Sequence, residues 1–215
     1  MSELPSELFI ERSAERDAAA RAALPHVPVH GWTAAALAAG LRDLGEDEMA
    51  HLWLFPRGPV GALEAWCDLA DREMEAAAPG LGLDGMRVPA RVRALIAWRL
   101  AATREHKEAV RRGLAAFALP WNAPAGLRAT ARTVGAVWHA AGDRSADFSW
   151  YTRRATLAGL YGTVLAYWIN DVSEDDADTL AFLDRQLARL GRVTAAAKGR
   201  RRDPATAGAQ RPATP

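Results

Sequence analysis

Apolar side chains recur along this chain at spacings of three and four residues, the period of one helix face, and no stretch alternates as a half-buried strand does. A first helix is predicted from Ser6 to Leu24 and ends at Pro25 and Pro28, because proline lacks an amide donor and clashes with the preceding turn. Thr33 then caps a helix over Ala34 to Leu44 that Gly45 closes, and Asp47 opens another through Leu54. Pro56 and Gly58 precede a longer helix, Val60 to Ala78. The run Pro79-Gly80-Leu81-Gly82-Leu83-Asp84-Gly85 is the clearest loop and separates a module over 1–78 from a bundle over 86–195.

Beyond that loop, Val88, Val92, Leu95, Ile96 and Leu100 form a single stripe. Helices are predicted over Lys107 to Ala118, Ala123 to Ala141 and Trp150 to Ile169. Past Arg154 the last of these carries no charge on any face, which predicts a central helix or one that lines a cavity. Ser173 with Asp176 suggests a capping box. Leu180, Leu183, Leu187 and Leu190 then form a packing seam, within the chain or across a dimer. Residues 198–215 are rich in Arg, Pro, Ala and Thr and are expected to be a disordered tail. The expectation is all-α, about nine helices.

Composition narrows the function. The 215 residues hold 27 basic and 26 acidic side chains and one cysteine, so a disulfide framework and a cysteine zinc site are excluded. The longest uncharged run, Ala155 to Ile169, stops short of the ~20 residues of a membrane span. The acidic start of the chain resembles neither a signal nor a transit peptide, which leads us to expect a cytoplasmic protein. The near-neutral total hides a division: residues 1–75 carry 6 basic and 14 acidic groups, a net of −8, and the rest carry a net of +9. An anionic surface should therefore meet the C-terminal two thirds first.

Catalytic motifs are missing. There is no phosphate loop, nucleophile elbow or His-Glu-x-x-His pair, so no catalytic residue, metal or cofactor is expected. Glu48-x-x-His51 has the spacing of half a di-iron site, but no second copy of it exists. Cys67 lies near Asp68 and Asp71, and acidic neighbours disfavour a thiolate. The layout of the first 78 residues is that of a helix-turn-helix module. The segment Gly31 to Leu41, and Leu52-Trp53-Leu54-Phe55-Pro56 before the long helix, resemble TetR-type repressors. The part that would enter the major groove, Asp43 to Leu54, nevertheless carries Asp43, Glu46, Asp47 and Glu48 and no Lys or Arg. Duplex affinity rests largely on neutralised phosphates, so no functional DNA binding is expected, although a repressor with a hydrophobic effector is the alternative reading.

In the bundle, Ala158, Gly159, Gly162 and Thr163 sit among large apolar residues. Small side chains in that setting permit either close helix packing or a cavity. Helix faces nominate Trp98, Trp138, Leu160, Tyr161, Val164, Leu165 and Trp168 as a lipid-pocket lining.

The segment Trp138-His139-Ala140-Ala141-Gly142-Asp143-Arg144-Ser145-Ala146-Asp147-Phe148-Ser149-Trp150-Tyr151-Thr152-Arg153-Arg154, with Leu157-Ala158 and Tyr161-x-Thr163 after it, is longer than any generic helical pattern needs. It resembles the signature of the ninth coenzyme Q biosynthesis protein family, TetR-like accessory proteins of ubiquinone synthesis. Asp178-Thr179, Phe182-Leu183 and Arg185 fit that family's last bundle helix, and the likeness runs over roughly residues 10–195. The resemblance implies a non-enzymatic, homodimeric, lipid-binding protein with a TetR-like fold. Such a protein holds isoprenoid quinone intermediates and presents them to the di-iron demethoxyubiquinone hydroxylase at the inner membrane. Carried over by position, the partner surface centres on Asp147, Trp150 and Tyr151. Eukaryotic members have acidic residues and Met where this chain has Gly135, Ala136 and Val137, and they end in an amphipathic membrane helix. Residues 198–215 lack its bulky apolar positions, so peripheral membrane contact is expected through the arginines between Arg87 and Arg112, at about 1 kcal/mol per basic residue near an anionic surface.

Overall fold

A computed structural model describes residues 11–142 and 149–202, with the side chains of 149–153 and 193–202 outside the description. Among the described residues there are ten α-helices and no strand. The chain opens with α1 (Ala14–Ala23), where the Ser13 side chain accepts from the Arg16 amide and Glu15 and Asp17 complement the positive end of the helix. The single turn α2 (Val27–His30) is the helix not anticipated: Pro28 sits in its first turn, where a missing amide costs nothing, so it starts a helix there as well as ending one. Thr33 caps α3 (Ala34–Asp43). A turn of 3₁₀ helix at Glu48–Ala50, capped by Asp47, leads into α4 (His51–Leu54). The helix-turn-helix geometry is thus α3, turn, α4.

Gly40 lets α3 lie directly on α1: a Cβ there would come within 2.6 Å of the Ala22 carbonyl carbon and the Ala23 nitrogen. Phe55, 1% exposed, closes this layer beneath the Arg16 guanidinium, 5.4 Å from its ring. The long helix α5 (Gly58–Ala77) packs against α1 and α3 at the module and against α8 in the bundle, and so belongs to both.

The bundle follows with α6 (Val88–Ala102), α7 (Lys107–Phe117), α8 (Ala123–Ala140), α9 (Ser149–Trp168) and α10 (Ala177–Arg202). On α6 the expected stripe is buried at Val92, Leu95, Ile96 and Leu100, while Val88 stays exposed. On α10 the seam closes within the chain, with Leu183 fully buried and Leu180, Leu187 and Leu190 half-buried.

The uncharged helix α9 is not central. One face, with Leu157, Leu160, Tyr161, Val164 and Trp168, is core; Ala155, Gly159, Gly162, Thr163 and Ala166 face outward. A Cβ added at Gly159 or Gly162 would meet nothing within 4 Å. Within one chain these small residues therefore serve neither close packing nor a cavity.

The start of α10 also departs from the capping box. Asp176 instead accepts from Arg104 Nε and Lys107 Nζ, both at 2.8 Å. Ser173 still caps the helix through its hydroxyl, which accepts from the Asp178 amide at 3.0 Å, and Asp171 joins it, accepting from the amides of Ser173 and Thr179 at 2.8 Å and from both hydroxyls. Partial burial works against its ionisation, but the hydrogen bonds from Ser173 and Thr179 prevail and hold the carboxyl well below its ordinary range. A folded-state pKa below the unfolded one contributes stability that is complete above about pH 4 and is lost as pH falls toward the folded value. Acid titration of the Asp171→Asn variant, followed by circular dichroism, should accordingly show a shallower fall in stability below that pH. Parallel curves would contradict this role.

Candidate functional site

A small, partly open cavity of about 70 Å³ lies where five bundle helices meet. The wall from α5 is Leu63, Trp66 and Cys67, and α7 adds Leu114 and Phe117. Ala129 and Thr133 come from α8, and Tyr161 and Leu165 from α9. Gly113 permits the approach of α7, since a Cβ there would already stand 3.0 Å from Leu63 Cδ1. The lining is mostly apolar, with one polar pole.

That pole is Arg99 of α6. Its Nε donates to Asp71 of α5 at 2.8 Å, and the same carboxylate accepts from Thr133 Oγ1 of α8 at 2.9 Å. The guanidinium carbon lies 5.6 Å from the centre of the Tyr161 ring on α9. Four helices are therefore joined around one buried charge pair. Burial raises Asp71 from its ordinary range, and Arg99 and Thr133 pull it back. Burial also pushes Tyr161 and the Cys67 thiol each up to about 12, so both stay protonated at neutral pH. A protonated Cys67 is a poor nucleophile.

Of the residues nominated as a pocket lining, Tyr161 and Leu165 line this cavity. Leu160, Val164 and Trp168 are buried in the core, with the Lys107 ammonium 4.8 Å from the Trp168 ring, and Trp138 is half-buried against it. Trp98 borders a separate groove of about 440 Å³ between α6 and α10, beside Arg93, Arg104 and Asp175. Leu63, Trp66, Leu114, Phe117 and Arg99 were not anticipated as lining, because helix faces alone do not say which helices meet. Gly113 in the middle of α7 is the sequence signal for the close approach. Asp147 lies outside the described residues. Trp150 and Tyr151 lie in the first turn of α9, and their side chains are also outside the description.

The helix-turn-helix surface carries its acidic groups outward. Asp43 pairs with His26 at 2.6 Å and Glu48 with Arg42 at 2.7 Å, while Met49, Leu52 and Trp53 are exposed. His51 Nδ1 bonds the Glu48 carbonyl oxygen, so the side chains of Glu48 and His51 do not converge. Among the described residues no three His, Cys, Asp or Glu come together as a metal site, and no helix is long and apolar enough to cross a membrane. Arg93, Arg104, Arg111 and Arg112 are ion-paired with Asp184, Asp175 and Asp176, and Glu108, which takes up much of the basic charge between Arg87 and Arg112.

A family model described as COQ9 matches residues 123–194, the segment from α8 into α10. The chain is 36% identical over 172 residues to the rat protein named ubiquinone biosynthesis protein COQ9, mitochondrial, and 35% identical to the human protein of that name. Those alignments take in 77% of this chain but 55% and 54% of the rat and human proteins, so the chain spans about half the length of the curated relatives it matches. Among solved structures, a TetR transcriptional regulator from Nitrosomonas europaea superposes with a TM-score of 0.63 over 82% of this chain and 98% of the regulator. At 24% identity that likeness concerns the fold alone. Residues 123–194 therefore match the COQ9 family model, and most of the chain is similar in sequence to the COQ9 proteins on a TetR-like fold.

Proposed function

We propose that this chain is a non-enzymatic lipid-binding accessory protein of ubiquinone biosynthesis. It holds an isoprenoid quinone intermediate in the bundle and presents it to the di-iron demethoxyubiquinone hydroxylase at the membrane. The observation that carries this reading is the partly open cavity, apolar on most sides with the Arg99 pole at one, in a chain similar to proteins named for ubiquinone biosynthesis. Apolar walls with a few fixed polar groups are the ordinary build of a small-molecule site, of about 300–1,000 Å³ when filled. The cavity is smaller than that, so loading widens it. Asp147, Trp150 and Tyr151 form the proposed docking surface for the hydroxylase, and the outward small-residue face of α9 is where a second copy packs.

The fold likeness to a regulator favours a second reading, a repressor with a hydrophobic effector. Against it, Asp43, Glu46, Asp47 and Glu48 bring carboxylates, not cations, to the surface that would meet phosphates.

Mass spectrometry of an organic extract of the gently purified protein tests the proposal. The expected result is a polyprenyl quinone or its precursor in stoichiometric amount. Phospholipid alone, or no lipid, would overturn it.

A further inference from the structure

The turn between α7 and α8 projects apolar side chains into solvent. Trp121 is 74% exposed, Leu127 in the second turn of α8 is 73% exposed, and Leu119 is 40% exposed. Residues of that size cost free energy in water, roughly in proportion to their apolar area, so a cluster of them at a projecting corner marks an interaction surface. Two further observations identify what it meets.

The first is charge. From Ala109 to Gly142 the chain has no Asp or Glu and carries Arg128 and Arg132, besides Arg111 and Arg112, which pair with Glu108. Next to the corner, the fully buried Glu64 of α5 takes Arg57 at 2.7 Å, Arg128 at 3.2 Å and Arg132 at 3.3 Å. One carboxylate cannot neutralise three guanidiniums, and a net charge of about +2 remains at a site whose arginines are still partly exposed. Arg132 Nε has no hydrogen-bond partner. The second is continuity with the cavity: Phe117, in the last turn of α7, lines it, and Leu119 follows two residues later. A Cβ at Gly126 would stand 2.9 Å from Phe117 Cβ, so α7 and α8 are in contact at this corner and must part there for a tail to pass.

We infer that the α7–α8 corner, with Leu119, Trp121 and Leu127 backed by the arginines around Glu64, docks on an anionic lipid bilayer and is the mouth through which a lipid tail reaches the cavity. Trp and Leu on a projecting turn suit the interface between headgroups and acyl chains, where an aromatic ring is half solvated. Guanidiniums just behind them meet lipid phosphates bidentately. The molecule holds its own contrast. Met49, Leu52 and Trp53 are comparably exposed, but Glu46, Asp47 and Glu48 lie beside them, and an anionic membrane would repel that face.

The mouth rests on the lipid-holding reading above; the docking does not. The test is co-sedimentation of the full chain with phosphatidylcholine vesicles with and without phosphatidylglycerol. Binding is expected only with the anionic lipid and should weaken as salt rises. The double variant Trp121→Glu, Leu127→Glu should bind about tenfold more weakly or less. Both sites are exposed, so its circular dichroism spectrum should match that of the unmodified chain. Trp53→Glu should bind as the unmodified chain does. Unchanged binding by the double variant, binding indifferent to anionic lipid, or no vesicle binding by the unmodified chain would each overturn the inference. So would a double variant that loses the hydroxylase but keeps vesicles, since the corner would then be a protein contact. A chain that carries quinone on purification but docks through another surface would refute the corner and leave the lipid-holding reading intact. A chain that docks here but carries no quinone would do the reverse.

Discussion

Arg99→Ala is expected to lower the midpoint of thermal unfolding by roughly 6–20 °C, the range that a loss of about 3–5 kcal/mol produces in a domain of this size. Arg99 is 7% exposed and Asp71 4%, so water cannot replace the missing guanidinium. The variant would leave a carboxylate in the core with only the Thr133 hydroxyl for a partner. The cost therefore comes from desolvating an orphaned charge rather than from losing one attractive contact. A sharper expectation follows. The double variant Asp71→Leu, Arg99→Met, which removes both charges and fills the space with apolar groups, should be more stable than Arg99→Ala, because replacing a buried pair with apolar groups is often neutral or better. Differential scanning calorimetry of the three proteins decides the matter. A double variant no more stable than the single would mean that the pair contributes through packing rather than charge.

Gly40→Ala is the other change with a large expected effect. Its new methyl group would stand 2.6 Å from two backbone atoms of α1 and 2.7 Å from a third, the Ala22 carbonyl oxygen. A flexible side chain could move aside, but helical backbone moves only with its whole helix. Overpacked sites ordinarily lose about 1–3 kcal/mol, and this one should lie at or above the top of that range. The separation of α1 from α3 should expose Leu37, Leu41 and Phe55, each 1% exposed in the native fold. A rise in binding of an apolar dye, with α-helix lost on the N-terminal side in hydrogen exchange, would show it. An unchanged melting midpoint would mean that the two helices slide apart at little cost.

Local chemistry was legible in the sequence where a residue acts on its own neighbours. Thr33, Asp47 and Gly45 marked the ends of the helix-turn-helix elements, and the stripe Val92, Leu95, Ile96 and Leu100 pointed to the face of α6 that is buried. Legibility failed where partners are distant along the chain. The lack of charge on α9 says what its faces tolerate and not what they touch, so its small-residue face read as interior when it is surface. The arginines gathered by Glu64 stand 64 and 68 residues beyond it at Arg128 and Arg132, and no periodicity encodes that meeting. The cavity draws its wall from five helices for the same reason. Only Tyr161 and Leu165 were expected there, because both lie on the single helix whose composition had drawn notice.

The shared helix α5 ties the N-terminal helices to the bundle. Its Leu63 and Trp66 wall the cavity, while other parts of the same helix seat α1 and α3. A single charge on the exposed face of α3 and α4 contributes little to stability on its own, typically under about 1 kcal/mol, and can be exchanged with little effect on the fold. The helices beneath cannot be shed so easily, because trimming them would strip one side of the α5 helix that walls the cavity. The module thus serves as masonry: its outer face can vary in charge, while its removal would bring down the wall it leans on.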